Sequence, residues 1–110
     1  MPTLTGYRIM WMLVMFDLPV GTKPERRAAT KFRNYLLDQG FEMSQFSVYL
    51  RFCSGKEHTA RLTRDIQGHL PKGGQVDILC FTDKQYENII SFRGRARQPD
   101  RRNPEQFVLL

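Results

Sequence analysis

The sequence predicts an α+β fold, a split βαβ arrangement in which two strand–helix–strand units share one sheet. Three observations predict it. Residues 9–16 and 76–82 are apolar at nearly every position, as in strands that are well covered. Residues 28–36 and 62–70 carry apolar side chains at helical spacing. Between the two helical stripes lies FEMSQFSVYLRFC, which alternates with period two and changes parity once. The order is therefore β-α-β-β-α-β, the ferredoxin-like pattern.

The first strand, residues 9–16, ends at Asp17 and is broken by Pro19 and Gly21. Thr22 followed by Glu25 has the spacing of a capping box, and Pro24 fits the first turn of a helix. Ala28, Phe32, Tyr35 and Leu36 then form one stripe, and Gly40 supplies a left-handed stop. In the next segment Phe41 and Met43 share one parity, whereas Phe46, Val48, Leu50 and Phe52 share the other. A tight turn or a bulge belongs near Ser44 and Gln45, giving two short strands or one bent strand. Tyr49 and Phe52 read as packing residues. Ser54 and Glu57 repeat the capping-box spacing ahead of Leu62, Ile66 and Leu70, and Pro71, Gly73 and Gly74 end that helix. Residues 76–82 form the last strand of the pattern, placed with the first at the sheet centre. The turn TDKQYEN then leads to an extra strand over residues 89–92.

At 110 residues the chain is one domain, near the size at which a partner helps complete a core. Its net charge of +6 suits a phosphate-rich partner. The excess concentrates in Arg93, Arg95, Arg97, Arg101 and Arg102, opposed locally only by Asp100. Cys53 and Cys80 lack the paired spacing of a metal site, and His58 and His69 are too scattered to complete one; two buried, reduced thiols are expected. The longest apolar run is too short to cross a bilayer, and the N-terminus lacks the charged region and cleavage site of a signal peptide, which points to the cytoplasm and away from membranes.

Residues 1–92 are expected to form the ferredoxin-like domain, with residues 93–110 as a basic linker and a C-terminal strand. Four consecutive apolar residues, Phe107, Val108, Leu109 and Leu110, follow that linker. Left exposed they would be an aggregation hazard, so they are expected to add a strand to the edge of their own sheet or a neighbour's.

Asp17 lies where ligands of α/β sheets often gather, at the carboxyl end of a central strand. An acid there can end the strand, cap a turn or hold a metal against a phosphate. One carboxylate is thin support for a divalent metal, but a two-fold axis would bring two copies of Asp17 together. Lys23, Arg26, Arg27, Lys31 and Arg33 decorate the first helix away from its apolar stripe, either as a solvated face or as phosphate contacts beside the positive helix N-terminus. No Walker loop, dinucleotide fingerprint or Ser-His-Asp set is present, and QFSVYLRF lacks the glycine-containing aromatic string of RNA-recognition motifs. Any nucleic-acid contact should therefore be to backbone and shape.

VMFDLP, the early Arg26–Arg27 pair with FRNYLL, GFEMSQFSVYLR, PKGGQVDIL and FTDKQYENI together resemble the CRISPR-associated protein 2 family, in particular members that accompany single-protein RNA-guided effectors. The resemblance covers nearly all of residues 7–110, and SQFSVYLR and TDKQYENI are its most specific pieces. It implies a ferredoxin-like homodimer whose C-terminal strand packs on the partner protomer. It also implies assembly with the CRISPR-associated protein 1 integrase, with a captured double-stranded DNA lying across the small subunit between two integrase dimers. The family is further described as a magnesium-dependent endonuclease in which the Asp ending the first strand, here Asp17, binds Mg2+ from both protomers.

Overall fold

The computed structural model describes residues 9–101, so Arg102 and the apolar residues Phe107, Val108, Leu109 and Leu110 lie outside the described residues. The chain runs β1 (Met10–Asp17), α1 (Lys23–Asp38), β2 (Glu42–Gln45), β3 (Val48–Cys53), α2 (Lys56–Gln67), β4 (Gln75–Thr82), α3 (Asp83–Glu87), β5 (Phe92–Arg93) and β6 (Ala96–Arg97). The first four strands form one antiparallel sheet in the order β2-β3-β1-β4. This α+β architecture is consistent with the ferredoxin-like pattern.

The α1 start follows from the sequence. Thr22 Oγ1 accepts from the Glu25 N–H (3.2 Å), and the Glu25 carboxylate accepts from the Thr22 N–H (2.9 Å). Gly40, at φ +89, ends the helix as expected, and a side chain there would run into the Arg51 guanidinium. Phe32 and Leu36 of α1 and Leu62 and Ile66 of α2 pack on Met10, Met12 and Val14 of β1 and on Tyr49 and Cys53 of β3. Burying each large apolar side chain contributes about 1.5–3 kcal/mol, against about 1 kcal/mol for a helix cap. Packing therefore holds the helices down and the cap only sets where α1 begins.

Both helices cover the same sheet face, so every second residue of β1 is inward. The alternate set, Trp11, Leu13, Met15 and Asp17, lies on the opposite, open face with Leu50 and Phe52 of β3 and Leu79 and Phe81 of β4.

Several expectations are corrected. β4 is not central: among the described residues it pairs only with β1, and β3 takes the other inner position. Its apolar residues on both parities mark a strand that, among the described residues, has a partly bare face and one unpaired edge. The segment read as one bent strand or two is two, β2 and β3, with a register shift between Met43 and Gln45 and with Ser47 at φ +62 in the turn. α2 has Gly55, not Ser54, at its N-cap and no side-chain cap. The reason is local: the Ser54 N–H donates to His58 Nδ1 (3.1 Å). TDKQYEN is not a turn but the whole of α3 with its caps, and Thr82 and Gln85 form a second capping box there. The extra strand shrinks to Phe92–Arg93, which pairs with Ala96–Arg97. Cys53 is buried as expected, but Cys80 is exposed. Phe52 is only partly covered, by edge-to-face contact with Trp11 (centroids 5.4 Å).

Arg51 shares the core parity of Tyr49 and Cys53. Its Nη1 donates to the Gln39 carbonyl at the C-terminal end of α1, and its Nη2 lies 3.4 Å from His58 Nε2. Burial, then the Arg51 and Arg61 charges, hold the His58 imidazole below its ordinary pKa of 6.5. The unfolded chain therefore takes up this proton more readily than the folded one. The His58 contribution is fully present above pH 6.5 and is lost as the pH falls from there toward the depressed folded value. Urea midpoints measured from pH 8 to pH 5 should fall across that interval, and His58→Gln should flatten that part of the curve.

Candidate functional site

The tip of β1 is built by two turns that pack on each other. Asp17 faces Gln75, the first residue of β4, across the sheet. Gly74, just before it, adopts φ +84, and a Cβ there would run into the Asp17 carbonyl oxygen and lie 2.9 Å from Leu18 Cδ2. Gly73 borders the Pro19 ring. The DLP and PKGG breaks of the sequence thus meet, and together they fix where Asp17 sits.

The Asp17 carboxylate is exposed and lies on the open face. The β1–β4 register puts a second acid, Asp77, on that face diagonally across from it, with Gln75 between; the Gln75 amide donates to Asp77 Oδ2 (2.9 Å). Sequence reading missed Asp77 because only strand pairing brings it beside a residue sixty positions earlier. Carboxylate and amide oxygens are the hard donors that Mg2+ takes. Among the described residues, however, no three or more His, Cys, Asp or Glu side chains group to hold a metal. The donors have the right chemistry and are too few in one protomer. A Mg2+ site here needs oxygens from a second Asp17 or from a phosphate.

The cations of α1 lie elsewhere. Lys23, Arg26, Arg27 and Lys31 line a groove on the outer side of the helix with Asn34, Tyr35 and His69, while Arg33 is exposed outside that groove. Arg26 is steadied by donating to the Val20 carbonyl (3.1 Å). In the groove wall the Tyr35 hydroxyl donates to Asp65 Oδ2, and its ring stacks on His69 with centroids 4.0 Å apart. Burial, then the Asp65 carboxylate, keep Tyr35 a neutral phenol far above neutral pH, so it offers the groove no base. Among the described residues no ion pair joins Asp17 to these cations.

Arg93, Arg95 and Arg97 occupy the β5–β6 hairpin, which follows the far end of β4. The end of β4 that leads to them lies an eight-residue strand away from Asp17, on the order of 25 Å. The structure therefore divides the expected site residues among three places.

Between Asp17 and the hairpin stretches the open face. There Met15 is 42% exposed, Phe52 40% and Leu79 52%, an apolar surface left bare beside Trp11, which Tyr86 of α3 covers. No helix of the described residues is long and apolar enough to cross a membrane.

A family model described as CRISPR associated protein Cas2 matches residues 10–89, from β1 through α3. The chain belongs to the Cas2 family. This Cas2-family chain is 64% identical over 107 residues to the CRISPR-associated endoribonuclease Cas2 of Paracidovorax avenae, covering 97% of this chain and 99% of that protein. It is 45% identical over 107 residues to the protein of the same name from Flavobacterium psychrophilum, covering 97% and 93%. Against the one from Parvibaculum lavamentivorans it is 39% identical over 101 residues, covering 92% and 100%. The Cas2 family match stops before β5, so the arginine-bearing hairpin lies beyond it.

Proposed function

We propose that this Cas2-family chain is a homodimeric CRISPR adaptation subunit. In this reading it bridges the CRISPR-associated protein 1 integrase in the cytoplasm and holds spacer-precursor double-stranded DNA for insertion into the array. The observation that carries the reading is the open sheet face. Exposed Met15, Phe52 and Leu79 beside partly buried Leu13, Leu50 and Phe81 make a contiguous apolar surface, and burial against a second copy would satisfy it. Pairing through that face would carry both Asp17 carboxylates along its border and leave both α1 cationic faces outward, since α1 lies on the opposite side of the sheet.

The mechanism is geometric. A rigid two-fold body sets a fixed distance between two integrase active ends, while Lys23, Arg26, Arg27, Lys31 and Arg33 neutralise phosphates of the duplex between them. The terminal Phe107, Val108, Leu109 and Leu110 are assigned to docking on the partner protomer. The test is reconstitution: chain, integrase and a spacer-sized duplex should co-elute, and integration should require all three. Integration by the integrase alone at an unchanged rate would refute the bridging role.

A second reading is favoured by the Asp17–Asp77 placement and by the endoribonuclease name of the relatives. Here two copies of Asp17 would hold Mg2+, which when bound polarises a phosphodiester and acidifies a water. Asp17 would fix the ion's position, and Gln75 and Asp77 would hold the neighbouring polar surface. Asp17→Ala is exposed and should fold normally. It should lower magnesium-dependent RNA cleavage by at least the roughly 10–100-fold that losing even an outer-shell partner of a metal site costs. Retained integration by the same variant would show that the two roles are separate; unchanged cleavage would remove Asp17 from the nuclease reading.

A further inference from the structure

The β5–β6 hairpin carries arginines in two different situations. Phe92 pairs with Arg97 and Arg93 with Ala96, and Gly94, at φ +63, lets Gly94 and Arg95 close the turn. A Cβ at Gly94 would meet nothing within 4 Å, so the turn projects into open space. Arg93 and Arg95 are exposed and have no carboxylate partner among the described residues; Arg97 has a loose one in Asp100 at 3.9 Å. Phe92, next to them, is 62% exposed.

The root of the hairpin is held firmly. The Gln98 N–H donates to the Ser91 carbonyl (2.7 Å), and Arg101 Nη2 donates to Ser91 Oγ (3.1 Å). The Arg101 guanidinium also lies over the Tyr86 ring, 5.4 Å from its centroid. Tyr86 in turn stacks on Trp11 at 3.8 Å, and the Trp11 indole N–H donates to Asp83 Oδ1 (2.8 Å). An unbroken run of contacts thus leads from central strand β1, through α3, to the base of the hairpin.

We propose that this hairpin is a phosphate-contacting arm of the duplex-binding surface: Arg93, Arg95 and Arg97 touch the nucleic-acid backbone, and Arg101 is a positioning residue that aims the arm through Tyr86 and Trp11. The inference rests on the duplex-binding reading above and extends it to a segment beyond the family match. Guanidinium forks fit phosphate oxygens, and the exposed Phe92 beside them adds an apolar surface against which a backbone sugar packs. With a second cationic surface on α1 and a net charge of +6, the attraction spans two separated regions, which serves a long polyanion better than one acidic protein patch. Arg101 has spent its guanidinium on Ser91 and Tyr86, so it is set apart from the other three.

The test uses the full chain and a spacer-length duplex, with binding followed by fluorescence anisotropy over a range of salt concentrations. Replacing Arg93, Arg95 and Arg97 together by Gln should flatten the slope of log K against log salt by about 0.9 per lost contact, roughly 2–3 in all, with an unchanged melting curve. Arg101→Lys keeps the charge but loses the stacked, forked geometry. It should weaken binding as much as Arg101→Gln and speed amide exchange over residues 92–98, whereas a phosphate contact would tolerate lysine. A wild-type chain that binds no duplex would overturn the underlying reading. Wild-type binding with an unaltered slope in the triple variant would overturn the arm alone, including the case in which that variant instead loses the integrase. Wild-type behaviour of Arg101→Lys would overturn its positioning role.

Discussion

Leu79→Asp is expected to leave the fold intact and to turn the proposed dimer into a monomer at micromolar concentration. Leu79 pairs with Leu13 of β1 on the open face and is 52% exposed in the single chain. Replacing it there gives up about half of one leucine's burial and a good strand former, so the isolated chain should lose about 1–2 kcal/mol and stay folded. In a dimer joined through this face the same carboxylate would be stripped of water among Leu13, Met15 and their counterparts. An unpaired buried charge costs several kcal/mol, and each 1.4 kcal/mol is tenfold in affinity, so dimerisation should weaken at least about 100-fold. Sedimentation velocity over a dilution series reads this directly. A Leu79→Asp chain that associates like the wild type would move the interface off the open face.

Gly74→Ala should be among the most damaging single substitutions. At φ +84 any L side chain is strained, and a Cβ would also run into the Asp17 carbonyl oxygen and the Leu18 side chain. The backbone conformation costs about 1–2 kcal/mol, and relief of the clash requires the β1 tip and the β4 start to part. A total of roughly 2–4 kcal/mol is expected, read as a lower denaturant midpoint with an unchanged slope. The control is Gly94→Ala. Its φ of +63 is also left-handed, but nothing lies within 4 Å, so only the strain of about 1 kcal/mol applies. Because Asp17 is displaced with the tip, Gly74→Ala should also reduce any metal-dependent cleavage that Asp17 supports.

What the sequence revealed, and what it hid, follows from the range of the forces involved. Features set within a few residues were legible: the Thr22–Glu25 box, the Phe32–Leu36 stripe and the left-handed Gly40 all stand as read. Ser54 shows how a local rule fails when a neighbour intervenes, since His58 captures the N–H beside it and Gly55 becomes the cap. Thr82 and Gln85 form a box that the eye passes over because the helix it starts is only five residues long.

Pairing was harder to read. An apolar strand on both parities looks covered on both faces, yet among the described residues β4 lies at the edge of its sheet and its outward Leu79 is half-exposed. In the proposed dimer such a strand meets a surface outside the single chain, which one sequence cannot display. The same gap hid Asp77, whose position opposite the β1 tip exists only once the register Asp17↔Gln75 is set. The basic residues were legible as a charge excess but not as separate groups. Folding sends Arg26 and Arg27 to one side of the sheet and Arg93, Arg95 and Arg97 to its far end.

If two copies join through the bare face of the sheet, as proposed, the mass of the wild-type chain in solution must show it. Light scattering behind a sizing column, run from low to high micromolar concentration, should return twice 12.9 kDa, with dissociation only at the dilute end. A steady 12.9 kDa across the whole range would mean that the sheet face pairs with no second copy.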